Sequence, residues 1–136
     1  MAHKHGRLTV LKVNSNDISV YTTESELTET TDTHEATTYG LADHVQDPGL
    51  NAGTFTCSGI YDSTASTGPR AVFKAVKALN AAVPIIRQDE GTGTTKPQDS
   101  FSAILTSYVQ TNPVADMIKW KADFVVTGAV NSAAQA

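Results

Sequence analysis

The segment that most constrains the fold lies near the end of the chain, where apolar and polar side chains alternate. Between residues 118 and 130, the apolar positions are Ile118, Trp120, Ala122, Phe124 and Val126. The positions between them include two lysines and one aspartate. A period of two places the apolar set on one face of a strand and the other set on the opposite face. The pattern therefore predicts a strand at 118–130 with one face in the core and the other largely polar.

Composition extends this β character to the rest of the chain. Nineteen of the 136 residues are threonine, and β-branched side chains fit the pleated, half-buried surface of a sheet. Further strands are predicted at residues 8–13, 53–62, 83–88 and 101–111. A chain of this length supports one core, so residues 1–136 are expected to form a single, mainly β domain. Its ends, residues 1–6 and 131–136, are expected to be flexible.

A single amphipathic helix is predicted at residues 69–80 and is expected to pack on the sheet. Proline suits the first position of a helix, and Val72, Val76 and Leu79 recur at helical spacing. Three basic residues form a parallel stripe, namely Arg70, Lys74 and Lys77. The sequence leaves two readings of this stripe open: an ordinary solvated face, or a contact for the acidic region of a neighbouring copy.

Charge is segregated along the chain. No lysine or arginine occurs between Lys12 and Arg70, and that stretch holds nine acids, whereas the two flanks hold all ten basic residues and five acids. A negative field repels nucleic acid, and the chain lacks a basic patch for binding by counterion release. The acidic stretch therefore disfavours tight binding of DNA or RNA.

Within the acidic stretch, the pattern predicts a polar hairpin. It consists of a strand at 21–30, a turn at 31–32 and a return strand at 33–38. Glu24 and Glu26 share one face of the first strand and Leu27 points to the other. The hairpin has too little apolar surface to fold stably alone, so it needs support from other strands or other subunits.

A long loop is predicted to follow the hairpin at residues 39–52. This segment contains glycine, proline, aspartate and asparagine without sustained periodicity. A second, shorter loop is predicted at 89–99. Loops as long as the first are commonly functional or mobile in a compact domain.

No set of residues predicts catalysis or metal binding. Asp32, His34 and Glu35 are interpreted as solvated hairpin residues, because successive strand positions face opposite sides. Cys57 would need a histidine beside it to act as a nucleophile, and a lone cysteine among strand residues is more often part of the core. No enzymatic activity, metal or cofactor is therefore predicted. The predicted core contains Leu27, Phe55, Cys57, Val72, Val76, Leu79, Trp120 and Phe124.

The remaining sequence features bear on where the protein works. Its single cysteine excludes an intrachain disulfide. Its apolar runs are shorter than the roughly 18–20 residues that cross a bilayer, and charged residues interrupt the N-terminus. The sequence therefore predicts a soluble protein made in the cytoplasm.

Four segments, taken in order, carry a family resemblance. They are the polar hairpin 25–38 continuing through Thr38-Tyr39-Gly40 to Asp43 and His44, the run Gly53-Thr54-Phe55-Thr56-Cys57-Ser58-Gly59 with Tyr61-Asp62, the helix from Pro69, and the closing strand 118–130 with Trp120 and Gly128-Ala129-Val130. In this order they resemble the major tail tube proteins of long-tailed bacteriophages, especially the short versions from phages with flexible tails. The likeness covers most of the chain.

The resemblance implies a β-sandwich or barrel of two packed sheets with one flanking helix and a long inter-strand loop. It also implies a virion tail protein that assembles as six-fold rings, stacked into a tube with an electronegative lumen for DNA. The implied partners are other copies of the chain, the tape measure and other tail proteins, and DNA in transit, with no cofactor and no membrane. The lumen candidates are Glu24, Glu26 and Glu35. The candidates for a ring-stacking loop at 39–51 are Tyr39, Asp43, His44, Asp47 and Asn51.

Two other hypotheses remain open from the residues. One is a monomeric β-sandwich binding module or a capsid decoration protein, which exposed aromatic side chains around one loop would favour. The other is a small hydrolase that uses Cys57 or a histidine. The oligomeric state separates both from a tube protein.

Overall fold

Strands account for most of the chain in the computed structural model, which describes residue 3 and residues 5–64 and 66–135. The strands are β1 (Val10–Val13), β2 (Asn16–Asp17), β3 (Thr22–Glu35), β4 (Gln46–Ile60), β5 (Val83–Gln88), β6 (Pro97–Thr111) and β7 (Lys119–Ala134). The helix α1 spans Pro69–Leu79, and short 3-10 turns span Gly6–Leu8 and Ser19–Tyr21. The prediction of a mainly β protein with one flanking helix is confirmed.

All seven strands belong to one antiparallel sheet with the order β2-β1-β5-β6-β7-β4-β3. The sheet curls, so that Thr9 and Leu11 on one side and Thr23 and Ser25 on the other line a single cleft of about 270 Å³. Leu11 and Phe55, on distant strands in this order, share one buried cluster. The expected division into two packed sheets is therefore not confirmed, because one curled sheet encloses the core.

The core lies between the concave face of this sheet and α1. The alternation of the closing strand is confirmed, since Trp120, Ala122 and Phe124 are buried. Aromatic rings make much of the contact: Phe73 of α1 lies 4.9 Å from Trp120, centroid to centroid, and Phe55 lies 5.4 Å from Phe101 in an edge-on arrangement. Such pairs add to the stabilisation that burial alone provides.

The helix begins at Pro69, as predicted, and stops before Asn80, which adopts the left-handed conformation with φ 50°. Its buried stripe differs from the predicted one. Leu79 is 57% exposed, whereas Phe73 is fully buried beside Val72 and Val76. The prediction of Leu79 as core was wrong because this residue lies at the very end of the helix, and Phe73 completes the apolar face instead. Leu27 is half-buried and packs against the core, while the other predicted core residues are buried.

The predicted hairpin is longer than expected. β3 continues through Thr31 and Asp32 to Glu35, and β4 begins at Gln46, so the connection is residues 36–45 and the predicted loop at 39–52 was wrong for its second half. The register shifts between Thr31 and Thr33, where β4 contributes one more residue than β3. The turn-like residues are therefore accommodated by a β-bulge rather than a turn.

Strand pairing extends nearly to the end of the chain, where flexibility stays a prediction. β7 pairs with β6 as far as Ala134, and the Ser132 hydroxyl donates a 2.6 Å hydrogen bond to Asp99. Small side chains do not prevent such pairing, because the ladder hydrogen bonds are made by the backbone. Gly6 lies in a 3-10 turn, while positions 1, 2, 4 and 136 lie outside the described residues.

Strand boundaries shift modestly elsewhere: β1 starts at Val10, β4 ends at Ile60 and β6 starts at Pro97.

Gly59 is the point where β4 passes closest to the start of β3. A Cβ atom at this position would lie 1.8 Å from the carbonyl oxygen of Tyr21. Gly59→Ala should therefore destabilise the fold by more than the roughly 1–3 kcal/mol typical of overpacking, because backbone must move. Urea denaturation would measure the loss. Gly6→Ala is the control, since a Cβ there would meet no atom within 4 Å, and equal stability of the two variants would contradict the prediction.

Candidate functional site

The most unusual surface is the outer part of the β3–β4 hairpin, residues 28–53, which we call the arm. From Thr28 to Glu35, every residue of β3 is exposed on both faces. At about 3.3 Å per residue, these positions extend the hairpin roughly 26 Å beyond the core. An extension without a core of its own gains little stability from its own side chains. Its exposed surface is free to contact other molecules.

The arm combines acids with large exposed apolar side chains. Its acids are Glu29, Asp32, Glu35, Asp43 and Asp47. Its exposed apolar side chains are Tyr39, Leu41, Val45 and Leu50. Large exposed apolar side chains commonly accompany interaction sites, so the arm is a candidate contact surface.

Hydrogen bonds shape the tip of the arm, residues 36–45. The Glu35 carboxylate accepts a 3.1 Å hydrogen bond from the Thr37 hydroxyl and lies 2.5 Å from His44 Nδ1. The Val45 N–H donates to Thr37 Oγ1 at 2.9 Å, and the Ala36 N–H donates to the Val45 carbonyl at 2.8 Å. These bonds cross the base of the tip and close it.

The structure places all five predicted stacking residues on the arm, but in two settings. Tyr39, Asp43 and His44 lie in the tip, whereas Asp47 and Asn51 lie in β4. Asp47 pairs with His34, and Asn51 Oδ1 accepts a 2.7 Å hydrogen bond from the Thr31 hydroxyl. The last two are therefore held by the strand ladder rather than by a loop.

The convex face of the sheet, opposite α1, is the second candidate surface and is called the polar face. Glu24, Ser58 and Lys121 form one row across β3, β4 and β7, and Glu26, Thr56 and Asp123 form the next. The Thr56 hydroxyl donates a 3.2 Å hydrogen bond to Asp123. This face is rich in hydroxyls and carries charge of both signs, with the two glutamates on the edge strand.

Glu35 does not join Glu24 and Glu26 on the polar face. Alternation along β3 puts Glu24 and Glu26 on one face and Glu35 on the other, where it contacts Thr37 and His44. The family resemblance implied all three as lumen candidates, and the sequence pattern placed Glu35 on a separate return strand. The structure therefore leaves two of the three lumen candidates together.

The basic stripe of Arg70, Lys74 and Lys77 is exposed on α1, on the far side of the core from the polar face. Lys74 Nζ lies 5.8 Å from the centroid of the Tyr108 ring, a cation–π distance. Burial raises the pKa of Tyr108, and the charge of Arg70 opposes that rise. Part of the stripe is therefore engaged within its own chain.

A second exposed apolar group lies where sequence reasoning found none. The connection between β6 and β7, residues 112–118, carries Val114, which is fully exposed, and Met117, which is 60% exposed. Their neighbours in the sequence are Asn112, Pro113, Ala115 and Asp116. Two large apolar residues in the short segment between two strands were the available signal, but periodicity does not detect it.

Cys57 is not placed for chemistry. It is 1% exposed, and burial, with a smaller effect from the charge of Asp123, raises the pKa of the thiol far above its ordinary value. A buried, protonated thiol is a poor nucleophile. Among residues 3, 5–64 and 66–135, no three metal-binding side chains converge, and no helix is long and apolar enough to cross a membrane.

Comparisons with known proteins agree on one fold. No protein-family model and no curated protein sequence matches the chain. A chain from the virion of a native gene transfer agent (GTA) particle is 10% identical with a TM-score of 0.79, over 97% of this chain and 100% of that one. A chain from the tail of an empty GTA particle, solved with C6 symmetry, is 12% identical with a TM-score of 0.77, over 98% and 100%. A chain of the SPP1 tail tube is 8% identical with a TM-score of 0.77, over 98% and 80%. The chain therefore has the tail tube fold.

Proposed function

We propose that this protein is a structural, non-enzymatic component of a virion tail, which polymerises as stacked rings into a tail tube. The observation that carries this proposal is the arrangement of its four longest strands, which lie side by side with both outer edges available. The tail tube fold supports the same reading. The protein needs no cofactor, and its partners are other copies of itself together with the tape measure and other tail proteins.

The four long strands are neighbours in the order β6-β7-β4-β3 and contain 15, 16, 15 and 14 residues. β3 ends the sheet, so its outer edge has no partner strand in the described part of the chain. On the other side, β5 pairs with β6 only over residues 99–103, which leaves the edge of β6 at 104–111 open. Open strand edges are templates for pairing with another chain.

Strand direction makes these two edges compatible. Neighbouring strands are antiparallel throughout, so β3 runs opposite to β6. When one copy is rotated onto the next, β3 of the first therefore meets β6 of the second as an antiparallel pair. Such a contact uses two different edges and closes into a ring if the rotation allows. Six copies per ring is our proposal, supported by the C6 symmetry of the structurally similar GTA tail.

The polar face then lines the channel. The helix α1 and the core lie on the opposite face of the four strands, so they face the outside of the ring. Glu24 and Glu26 lie on the polar face and Lys121 moderates their charge locally. A net negative wall repels the phosphate backbone, so DNA passes without sticking. Glu35 is left out of this role, and the arm makes the contact with the adjacent ring.

Electron microscopy of the purified protein, and of particles that contain it, tests the proposal. Hollow tubes or rings of the protein are expected. A protein that stays strictly monomeric at high concentration and is absent from tails would refute the proposal, and would return attention to a monomeric binding module.

The channel assignment has its own test in the double variant Glu24→Lys with Glu26→Lys. Tubes should still form, because both side chains are exposed at the edge of the polar face, but DNA release from particles should slow as phosphates bind the new lysines. A fluorescence assay of DNA ejection measures the rate, and the slowing should weaken with added salt. The matched control is Glu24→Gln with Glu26→Gln, which removes charge without adding the opposite one. An unchanged rate in the lysine variant would remove both residues from the role.

A further inference from the structure

We infer that the tip of the arm of one copy docks on the β6–β7 turn of a copy in the next ring, so that rings stack head to tail. This inference rests on the proposed function and names the surface that receives the arm. The occupant of the turn is thus a second copy of the same chain, specifically residues 36–45 of that copy.

The two surfaces lie at opposite ends of the long strands. Strand pairing places Thr111, Lys119 and Ile60 in one row, with Thr22 and Gly59 beside it. The β6–β7 turn extends from this row, whereas the tip of the arm lies at the other end of β3. β3 has 14 residues, so the two ends are separated by roughly 40 Å along the strand direction. An arm that leaves its own ring along the strands therefore meets the turn end of the following ring.

Both ends present apolar side chains that their own chain leaves uncovered. The tip carries Tyr39 and Leu41, and the turn carries Val114 and Met117. Val20, which is 85% exposed, comes two residues before β3 starts and so lies at the turn end. Burial of apolar surface drives association, and stacking in this orientation brings the two apolar groups together.

Charge selects the same pairing. The tip and the strands beside it carry acids and no lysine or arginine, so two tips would repel each other. The turn end carries Lys119 and Lys121 with Arg70 on the nearby start of α1, alongside the acids Asp116, Asp62 and Glu24, the last in the same row as Lys121. Asp116 already lies 3.5 Å from Lys119. The turn end is thus the less acidic surface, and it accepts an acidic tip where another tip would not.

The main competing receptor is the C-terminal half of the basic stripe on α1. Lys77 and the exposed Leu79 supply charge and apolar area there. They lie beside the core, however, and not beyond the end of the strands. The arm would have to pass the turn end and continue along the outside of the receiving copy to reach them, which makes position 79 the informative control site.

Disulfide trapping between copies distinguishes the two receptors. Full-length Leu41→Cys and Met117→Cys proteins are mixed, assembled and mildly oxidised, and covalent dimers are resolved by non-reducing electrophoresis. Within one copy these positions are far beyond the roughly 7 Å that a disulfide can bridge between Cα atoms. The native Cys57 is buried and does not compete. The control mixture combines Leu41→Cys with Leu79→Cys.

Covalent dimers with position 117 and not with position 79 are the expected result. Dimers with position 79 alone would overturn the inference and assign the stripe as receptor, and tubes without either dimer would also overturn it, while the proposed function stands. Failure of the unmodified protein to form any ring or tube would overturn both. A second measurement guards against a trapping artefact: Val114→Asp with Met117→Asp should leave a folded protein that forms single rings but no stacks, and normal tubes from this variant would contradict the inference.

Discussion

Replacing Trp120 with alanine should lower the free energy of unfolding by about 3–5 kcal/mol, the range measured for large aromatic side chains removed from cores. Trp120 is 2% exposed, its ring lies 4.9 Å from that of Phe73, and its Nε1–H donates a 3.1 Å hydrogen bond to the Ile60 carbonyl. The substitution leaves a cavity between the sheet and α1 and an unpaired carbonyl at the end of β4. Urea denaturation of unassembled protein, followed by circular dichroism, measures the loss.

Two controls separate packing from the general effect of substitution on β7. Trp120→Phe keeps much of the ring but removes the hydrogen bond, so it should cost clearly less than Trp120→Ala. Val125→Ala changes an exposed side chain on the same strand, and surface changes usually stay within about 0.5 kcal/mol. A loss below about 1 kcal/mol for Trp120→Ala would show that the helix and sheet are not joined through this residue.

The sequence predicted those parts of the fold that local patterns determine. Trp120 and Phe124 were assigned to the core because one face of a strand repeats every two residues. The helix start at Pro69 followed from the fixed φ of proline, and the exposed stripe of Arg70 and Lys74 followed from helical spacing. Each of these features depends on residues within a few positions of one another, so a single sequence contains the needed information.

The arm could not be predicted in the same way. It is exposed on both faces, so alternation of apolar and polar residues does not mark its register. Its order comes from pairs such as Thr31 with Asn51, which are twenty positions apart in the chain. Thr31 and Asp32 looked like a turn because their side chains favour turns, yet the cross-strand ladder overrides that preference through a bulge. The error also placed Glu35 on a return strand, whereas it ends β3.

The same reasoning explains why the candidate site was only partly predicted. Glu24 and Glu26 were grouped correctly because they sit two positions apart on one strand. The receiving surface at Val114 and Met117 was missed because a turn has no period, and its meaning depends on the opposite end of the molecule. The two free edges at β3 and β6 are visible only when the strand order is known.

Removing the outer arm should abolish tubes while leaving the domain folded. In this variant, residues 30–52 are replaced by Asn-Gly, so that the paired residues Glu29 and Gly53 flank a two-residue hairpin turn. The removed residues contribute no side chain to the buried core, so the free energy of unfolding should change by about 1 kcal/mol or less. The open edge of β3 at 24–29 remains, and single rings should therefore still form.

Sedimentation and electron microscopy measure this outcome, with circular dichroism to verify folding. The control is Thr30→Ser with Thr33→Ser, which keeps the length, charge and register of the arm and should assemble normally. Loss of tubes with single rings retained would assign stacking to the arm, because the arm has been removed. It would assign ring closure to the inner strands, because these remain. Loss of folding would instead show that the arm stabilises the domain through the β3–β4 ladder. Normal tubes from the shortened chain would contradict any stacking role for the tip, since no residue of the tip would remain to make the contact.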